Sequence, residues 1–387
     1  MIVSLAWLVM LPLTFSLVYL GTELAFGLRP LPDEGWTGFD RPRRIAILIP
    51  AHNESGGITE TVSALKVTAP TAEILVVADN CDDDTAELAR QAGATVAVRD
   101  DPDRRGKGFA LAFGRDVLEQ APPEAVIIID ADCRLAHGSA ERLALRTLVH
   151  GRPVQASNLL TSDQASPLVA VSNFAMLVKN LVRARGLKRL GGGAMLFGTG
   201  MAFCWPLFAR LPLATGDAVE DLSLGLWLAR QGVPVDLDDR AQVTSSAAPI
   251  DSSRAQRSRW EHGFLRTAAT KGLPLLLEGL VKPSRNLTTL GAHLLVPPLA
   301  LLMLLSGTGL AIAAAVGFST GHWIPLTVGG SAFAFSGVML LVSWWYYGRA
   351  VLPFADLLRI PLYIIWKIPI YIGFFTRNQK DWNRTQR

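Results

Sequence analysis

Short apolar runs alternate with stretches of helical periodicity through the first half of the chain. Residues 45–49, 73–78, 95–98 and 126–129 are runs of this kind, rich in Ile, Val and Ala. Such runs read as buried strands. Residues 60–66, 86–91 and 109–118 between them read as helices, with Gly93 closing the second. Alternating strand and helix predict a mostly parallel sheet with both faces covered. Farther on, 198–203 is a short strand punctuated by glycine, 222–231 a helix and 233–237 another strand. Residues 167–190 read as one helix, apolar at Val171, Phe174, Leu177 and Leu181. Its basic residues (Lys179, Arg183, Arg185, Lys188 and Arg189) gather toward one end. That pattern fits a helix lying at a membrane surface, or a core helix with an exposed basic end. Gly191 to Gly193 break it.

Much longer apolar runs occupy the two ends. Residues 2–20 carry no charge, and a bilayer core of about 30 Å needs about 20 helical residues. No basic segment precedes the run and no clear small-residue cleavage site follows, so an anchor fits better than a signal peptide. Arg29, Arg41, Arg43 and Arg44 follow it, which places that side in the cytosol and the N-terminus outside. Residues 293–318 and 322–347 read as a second and third span joined in a hairpin. Residues 352–375 are apolar but include Asp356, Arg359, Lys367 and three prolines. Charges at mid-bilayer are costly, so this segment reads as interfacial or re-entrant, with a fourth span the alternative. The expected layout is an anchor (1–28), a Pro-rich linker (29–43) and an α/β unit (44–250). Interfacial helices (251–289), a membrane hairpin (290–348) and an interfacial or re-entrant element with a basic cytosolic tail (349–387) complete it. The protein is therefore expected in an inner or plasma membrane, with the α/β unit cytosolic.

Composition agrees. Of 387 residues, 50% are hydrophobic and 18% charged, and the mean hydropathy is +0.30. The net charge of +4 is modest, and no basic stripe marks a nucleic-acid partner. The surplus Lys and Arg suit a cytoplasmic lipid surface. Cys81, Cys133 and Cys204 are widely spaced, which excludes a disulfide framework and a zinc ligand pattern.

Candidate chemistry lies where the strands end. The strand at 126–129 runs into Asp130-Ala-Asp132. Open α/β sheets bind ligands at the carboxyl ends of their strands. Two carboxylates there suit a hard divalent cation bridging phosphate oxygens, although Asp is also common in turns. Lys107 stands between Gly106 and Gly108 before a helix, where mobile backbone and a helix N-terminus attract phosphate. The P-loop spacing is absent, and Phe203 occupies the third glycine position of a dinucleotide fingerprint. The run Asp82-Asp83-Asp84 reads as helix capping. Glu220-Asp221 also opens a helix, where capping is the ordinary explanation. Gln256, Arg259 and Trp260 share one helical face at i, i+3 and i+4. A guanidinium there suits phosphate, and an indole suits a sugar face.

In one order, Pro50-Ala-His-Asn-Glu54, Val77-Ala-Asp79-Asn80, Gly106-Lys107-Gly108, Asp130-Ala-Asp132, Gly198-Thr-Gly-Met-Ala-Phe203, Glu220-Asp221 and Gln256-x-x-Arg-Trp260 resemble membrane-anchored family 2 glycosyltransferases. That group includes cellulose, chitin and hyaluronan synthases. The resemblance covers about residues 44–265 and the membrane layout, and it implies an α/β GT-A fold that binds nucleotide sugars. By that resemblance, Asp79 contacts the nucleotide base, Glu54 lies near the nucleoside and Lys107 helps hold the diphosphate. Asp130 and Asp132 hold Mg²⁺ or Mn²⁺, and Asp221, with Glu220 beside it, is the general base. Gln256, Arg259 and Trp260 close over donor and acceptor, and Gly198, Thr199 and Gly200 line the acceptor path. Thr199 departs from the Asn often found there.

The implied reaction is inverting transfer, with a UDP-sugar as the expected donor. The implied acceptor is a polyprenyl-linked sugar or a polysaccharide, with polysaccharide-assembly subunits as partners. Three spans are few for a translocating channel, which favours a single addition over processive synthesis. A non-catalytic membrane scaffold or transporter would not need both carboxylate pairs. A soluble nucleotidyltransferase would begin with a Gly-rich loop in place of Pro50-Ala-His-Asn-Glu54.

Overall fold

The computed structural model describes residues 2–35, 42–161, 166–217, 219–246 and 250–376, and of 246, 250–257, 375 and 376 the backbone alone. A long apolar helix, α1 (Ile2–Gly27), leads into β1 (Ile45–Ala51), α2 (Ile58–Thr68), β2 (Ala72–Asp79), α3 (Thr85–Gln91) and β3 (Thr95–Arg99). Next come α4 (Lys107–Leu118), β4 (Ala125–Ile128), β5 (Cys133–Leu135), α5 (Ser139–His150) and β6 (Val154–Thr161). The eight strands order as β3-β2-β1-β4-β7-β6-β8-β5, with β7 at Met201–Cys204 and β8 at Asp236–Ser246.

The apolar runs are continuous because the sheet is covered on both sides. Alternation sends Ile45, Ile47 and Ile49 to one layer with Val62 and Leu143. Ala46 and Leu48 go to the other with Val77, Leu111 and Phe203. Ile47, Leu48 and Ile127 are fully buried, each contributing about 1.5–3 kcal/mol of transfer free energy. The β1–β2, β1–β4, β2–β3 and β6–β8 pairings are parallel. The β4–β7, β6–β7 and β5–β8 pairings are antiparallel, so the sheet is mixed rather than simply parallel. The parallel half is the part where strand and helix alternate in sequence.

Three details differ from expectation. The strand expected at 233–237 begins at Asp236 and runs on to Ser246. It is too polar to read as a strand, yet Leu237, Ala241 and Val243 turn inward while its acids meet arginines. Residues 133–161, which had no predicted element, supply β5, α5 and β6. The helix at 167–190 is neither a surface helix nor one with a free basic end. It runs as α6 (Pro167–Leu177), a π-helical turn (Val178–Arg183) and α7 (Ala184–Leu190). It packs in the core, and Arg183 and Arg185 are buried. Arg183 pairs with Glu23 of α1 at 2.7 Å and Arg185 with Asp239 at 2.6 Å.

After α8 (Trp205–Phe208) and α9 (Glu220–Arg230), helices α10 (Ile250–Thr267), α11 (Leu273–Val281) and α12 (Arg285–Leu294) lead to α13 (Leu299–Thr320) and α14 (Ile324–Ser343). The spans Ile2–Gly27, Leu299–Thr320 and Ile324–Gly348 are long and apolar enough to cross a membrane. They pack together through one apolar cluster. A short α15 (Phe354–Leu357) and α16 (Ile360–Thr376) follow; α16 is apolar but shorter than these spans. The basic tail 377–387 lies outside the described residues. So does part of the linker, whose Asp33 and Glu34 are tied to Arg142 and Arg146.

Candidate functional site

At the carboxyl end of β4 the strand stops at Ile128, and the turn through Asp130 and Asp132 is pinned by its neighbours. The Asp130 N–H donates to Thr199 Oγ1 at 3.1 Å. Thr61 Oγ1 donates to the Ala131 carbonyl at 2.6 Å. The Cys133 N–H donates to the Asp130 carbonyl at 3.0 Å. One ligand atom each from Asp130, Asp132 and Cys133 lies within 4.8 Å of the others. Burial pushes the Cys133 thiol well up, so it stays protonated and is a poor ligand for a hard cation. The two carboxylates fit Mg²⁺ or Mn²⁺, which take oxygen ligands and leave positions for phosphate and water.

Lys107 is the hub. It opens α4, donating to Asp130 Oδ1 at 2.5 Å and to the Gly198 carbonyl at 2.7 Å, with Glu220 Oε1 at 3.8 Å. The glycines beside it are steric requirements rather than mobile backbone. Gly106 has φ +129°, and a Cβ on Gly108 would meet the Leu213 and Thr215 carbonyls at 2.5 Å. Gly198, at φ +81°, presses against the same centre: a Cβ there would lie 3.3 Å from both Asp221 Oδ2 and Lys107 Nζ. Burial works against the Lys107 charge, but Asp130, Glu220 and Asp221 hold it firmly protonated. Glu220 and Asp221 open α9, yet neither caps it from the N-cap position, which Val219 occupies. Burial pushes both carboxyl groups up, Glu220 to about 7, while Lys107 pulls them down.

Asp79 ends β2, two strands from β4, and is buried against Arg99, which ends β3 in register with it. The pair closes at 2.5 Å. Burial raises the Asp79 carboxyl, with Arg99 opposing. Arg99 also holds Asp101 at 3.0 Å and the Arg104 carbonyl at 2.8 Å, linking Asp79 to the loop that carries Lys107. Sequence reasoning missed Arg99; the available signal was a cation ending the strand beside Asp79. The run Asp82-Asp83-Asp84, expected to cap α3, mainly ties the loop after β2 to the loop after β1. Asp82 bonds Asn53, while Asp83 takes the Ser55 and Thr85 N–H groups at 3.2 and 3.0 Å. Asp84, at the N-cap of α3, makes no side-chain cap bond. The Glu54 N–H donates to Thr85 Oγ1 at 2.7 Å, so the loop bearing Glu54 is fixed to the loop after β2.

The structure thus joins Lys107, Asp130, Gly198, Glu220 and Asp221 in one centre. Thr199 is buried, its hydroxyl spent on the Asp130 backbone, and Gln155 donates to the Thr199 and Gly200 carbonyls at 2.8 and 3.3 Å. Gln256, Arg259 and Trp260 lie on α10. The Gln256 side chain is outside the described residues, and Trp260 is exposed and faces a cavity described below. Gly263 brings α10 against Val219, where a Cβ would meet the valine side chain at 2.4 Å.

A mixed sheet of this order, with helices on both faces and carboxylates at its strand ends, is GT-A-like. Residues 46–159 match the family model described as Glycosyl transferase family 2. Protein RfbJ of Shigella flexneri is 33% identical over 88 residues, 23% of this chain and 64% of that protein. The low-salt glycan biosynthesis hexosyltransferase Agl6 of Haloferax volcanii is 32% identical over 92 residues, 23% of this chain and 21% of that protein. The chain therefore spans less than two thirds of either relative. The mannosyltransferase PcManGT from Pyrobaculum calidifontis, solved in complex with GDP-Man and Mn²⁺, has a TM-score of 0.58. That likeness covers 95% of this chain and 100% of the other at 17% identity, and it shows a shared fold.

Proposed function

We propose that the protein is a metal-dependent, inverting hexosyltransferase working at the cytosolic membrane face. It moves a sugar from a nucleoside diphosphate sugar, expected to be a UDP-sugar, to a lipid-linked or polysaccharide acceptor in exopolysaccharide or envelope glycan assembly. The observation that carries this reading is the convergence of Asp130, Glu220 and Asp221 on Lys107, beside Gly198. The Asp130 and Asp132 carboxylates suit a divalent metal, and Asp221 is held at a helix start with its carboxyl raised above its ordinary value by burial, which suits a base.

In this mechanism Asp221 takes the proton of an acceptor hydroxyl as its oxygen bonds the anomeric carbon. The bond from that carbon to the diphosphate breaks, and the nucleoside diphosphate leaves with its electron pair. With one base and no covalent intermediate, the configuration inverts. A cation held by Asp130 and Asp132 would stabilise the negative charge of the leaving group. Lys107 adds a fixed positive charge at the same end. By the family resemblance, Asp79 and Glu54 take the nucleoside side of the donor, and Gln256, Arg259 and Trp260 of α10 close over donor and acceptor.

The test is nucleoside diphosphate release by the full chain in lipid, across a panel of nucleotide sugars with Mg²⁺ or Mn²⁺ and a membrane lipid extract. Release with one donor, lost on chelation and in Asp132→Ala, is the expected result. Nucleotide binding without release from any donor, in the presence of the extract, would count against transfer. Sizing the product separates one addition from processive synthesis.

A further inference from the structure

A cavity of about 410 Å³ opens where α6 and its π-helical turn meet α10, α13, α14 and α16. This is within the range of about 300–1,000 Å³ usual for small-molecule sites. Its wall is largely apolar, with Val171, Phe174, Met303, Leu340 and Trp344 among the lining residues. Met303 and Leu340 belong to two of the candidate spans, which puts the cavity within reach of bilayer chains.

The charged groups on this wall are unequally matched. Arg183 is paired with Glu23 and lies 3.3 Å from His293 Nδ1. Lys367 is paired with Glu261. Lys179 lines the cavity, is accessible from it, and makes no hydrogen bond or ion pair among the described residues. Its Nζ lies 5.9 Å from the centre of the Phe197 ring. Phe197 is followed by Gly198, whose carbonyl accepts from Lys107, and Lys179 and Asp221 are near enough for their charges to attract. Lys179 therefore stands on the cavity wall and within electrostatic range of the proposed base. Asp221 and Glu261 act on the Lys179 ammonium only from a distance, and an ammonium beside an apolar wall with no carboxylate in contact is costly, so an entering anion that bonds it lowers that cost.

We propose that this cavity is the acceptor site, that it takes part of the hydrocarbon chain of a sugar-bearing lipid phosphate, and that Lys179 neutralises the phosphate while a hydroxyl of that sugar faces Asp221. The assignment of the ligand as acceptor rests on the transfer reading above. The lipid-phosphate site itself does not.

The experiment uses the full chain in zwitterionic phosphatidylcholine nanodiscs and a diazirine-bearing farnesyl phosphate, photolysed and mapped by peptide mass spectrometry. Label is expected on residues 171–178 and around Met303 and Leu340, competed by farnesyl phosphate but not by farnesol or inorganic phosphate. Lys179→Gln should cut labelling about tenfold or more, the scale of a lost charged hydrogen bond, and Lys179→Arg should retain it. Met303→Trp, which fills the apolar wall, should cut it too. Equal competition by farnesol would show a chain pocket with no phosphate site, and competition by inorganic phosphate would show a free-anion site. Label spread evenly over α1, α13 and α14, or unchanged in Lys179→Gln, would show lipid contact alone. Each of these overturns the proposal. Donor turnover is followed in parallel. Specific labelling without turnover of any nucleotide sugar would remove the transfer reading and keep the lipid-phosphate site. Turnover whose acceptor KM ignores Lys179 would do the reverse.

Discussion

Two clusters of acids lie on the same sheet and behave in opposite ways. Around β8, Asp236, Asp238 and Asp239 each meet a guanidinium. Arg146 holds Asp236 at 2.7 Å and Asp238 at 3.5 Å, Arg142 holds Asp238 at 2.7 Å, and Arg185 holds Asp239 at 2.6 Å. Burial works against the Asp236 charge, but Lys188 and Arg146 win and hold its carboxyl below the usual range. Around Lys107, Asp130, Glu220 and Asp221 converge on its ammonium, and for Glu220 and Asp221 burial wins. Matched charges make a staple that joins β8 to α5 and the linker. Carboxyl groups raised by burial make a centre with a group that can exchange a proton.

The sharpest way to break this contrast is Asp221→Asn. In the proposed transfer it should lower kcat by about 10²–10⁴-fold, the usual share of a positioned base, while calorimetry shows nucleotide binding retained. Lost binding would move Asp221 into the structural class. The converse change is Arg146→Met. It leaves Asp236 and Asp238 short of a buried partner and should cost about 3–5 kcal/mol of stability, read by denaturant unfolding. Nucleotide affinity of the folded fraction should stay as it was. An unchanged unfolding midpoint would show that the β8 cluster is not a staple.

The gentlest probe is pH. The ionised carboxylate is the active form of the base, so kcat should fall toward acid. Burial raises the Asp221 carboxyl above its ordinary 3.8 and that of Glu220 beside it to about 7, and well below the controlling value the fall approaches about tenfold per unit. The β8 contribution to stability runs on a different scale. Asp236 is depressed below its ordinary 3.8, so that contribution is full above this value and is lost as pH falls through the lower, folded one. A loss of turnover toward acid should therefore appear without unfolding of this cluster. A limb that coincides with unfolding would erase the distinction.

Several parts of this arrangement were legible in one dimension. The apolar runs ending in Asp130 and Asp79 placed strand ends, and Lys107 and Glu220-Asp221 stood where helices begin. Each signal is local: side-chain period, a glycine at positive φ or a carboxylate at a helix start can be read within a few residues. The acidic strand β8 was not legible, because its polar positions are tolerated only by arginines on α5 and α7. The basic half of 167–190 misled for the same reason. Its charges look solvated until Glu23 and Asp239 are brought to them.

By itself, then, the sequence determined the strands of the parallel half, the apolar spans and the residue types at the strand ends. Tertiary structure alone decided which charges are neutralised. Glu23 meets Arg183, Asp79 meets Arg99 and Thr199 meets Asp130, whereas Lys179 is left facing a cavity. Electrostatic and desolvation energies depend on distance and burial in space, and residue spacing along the chain carries neither.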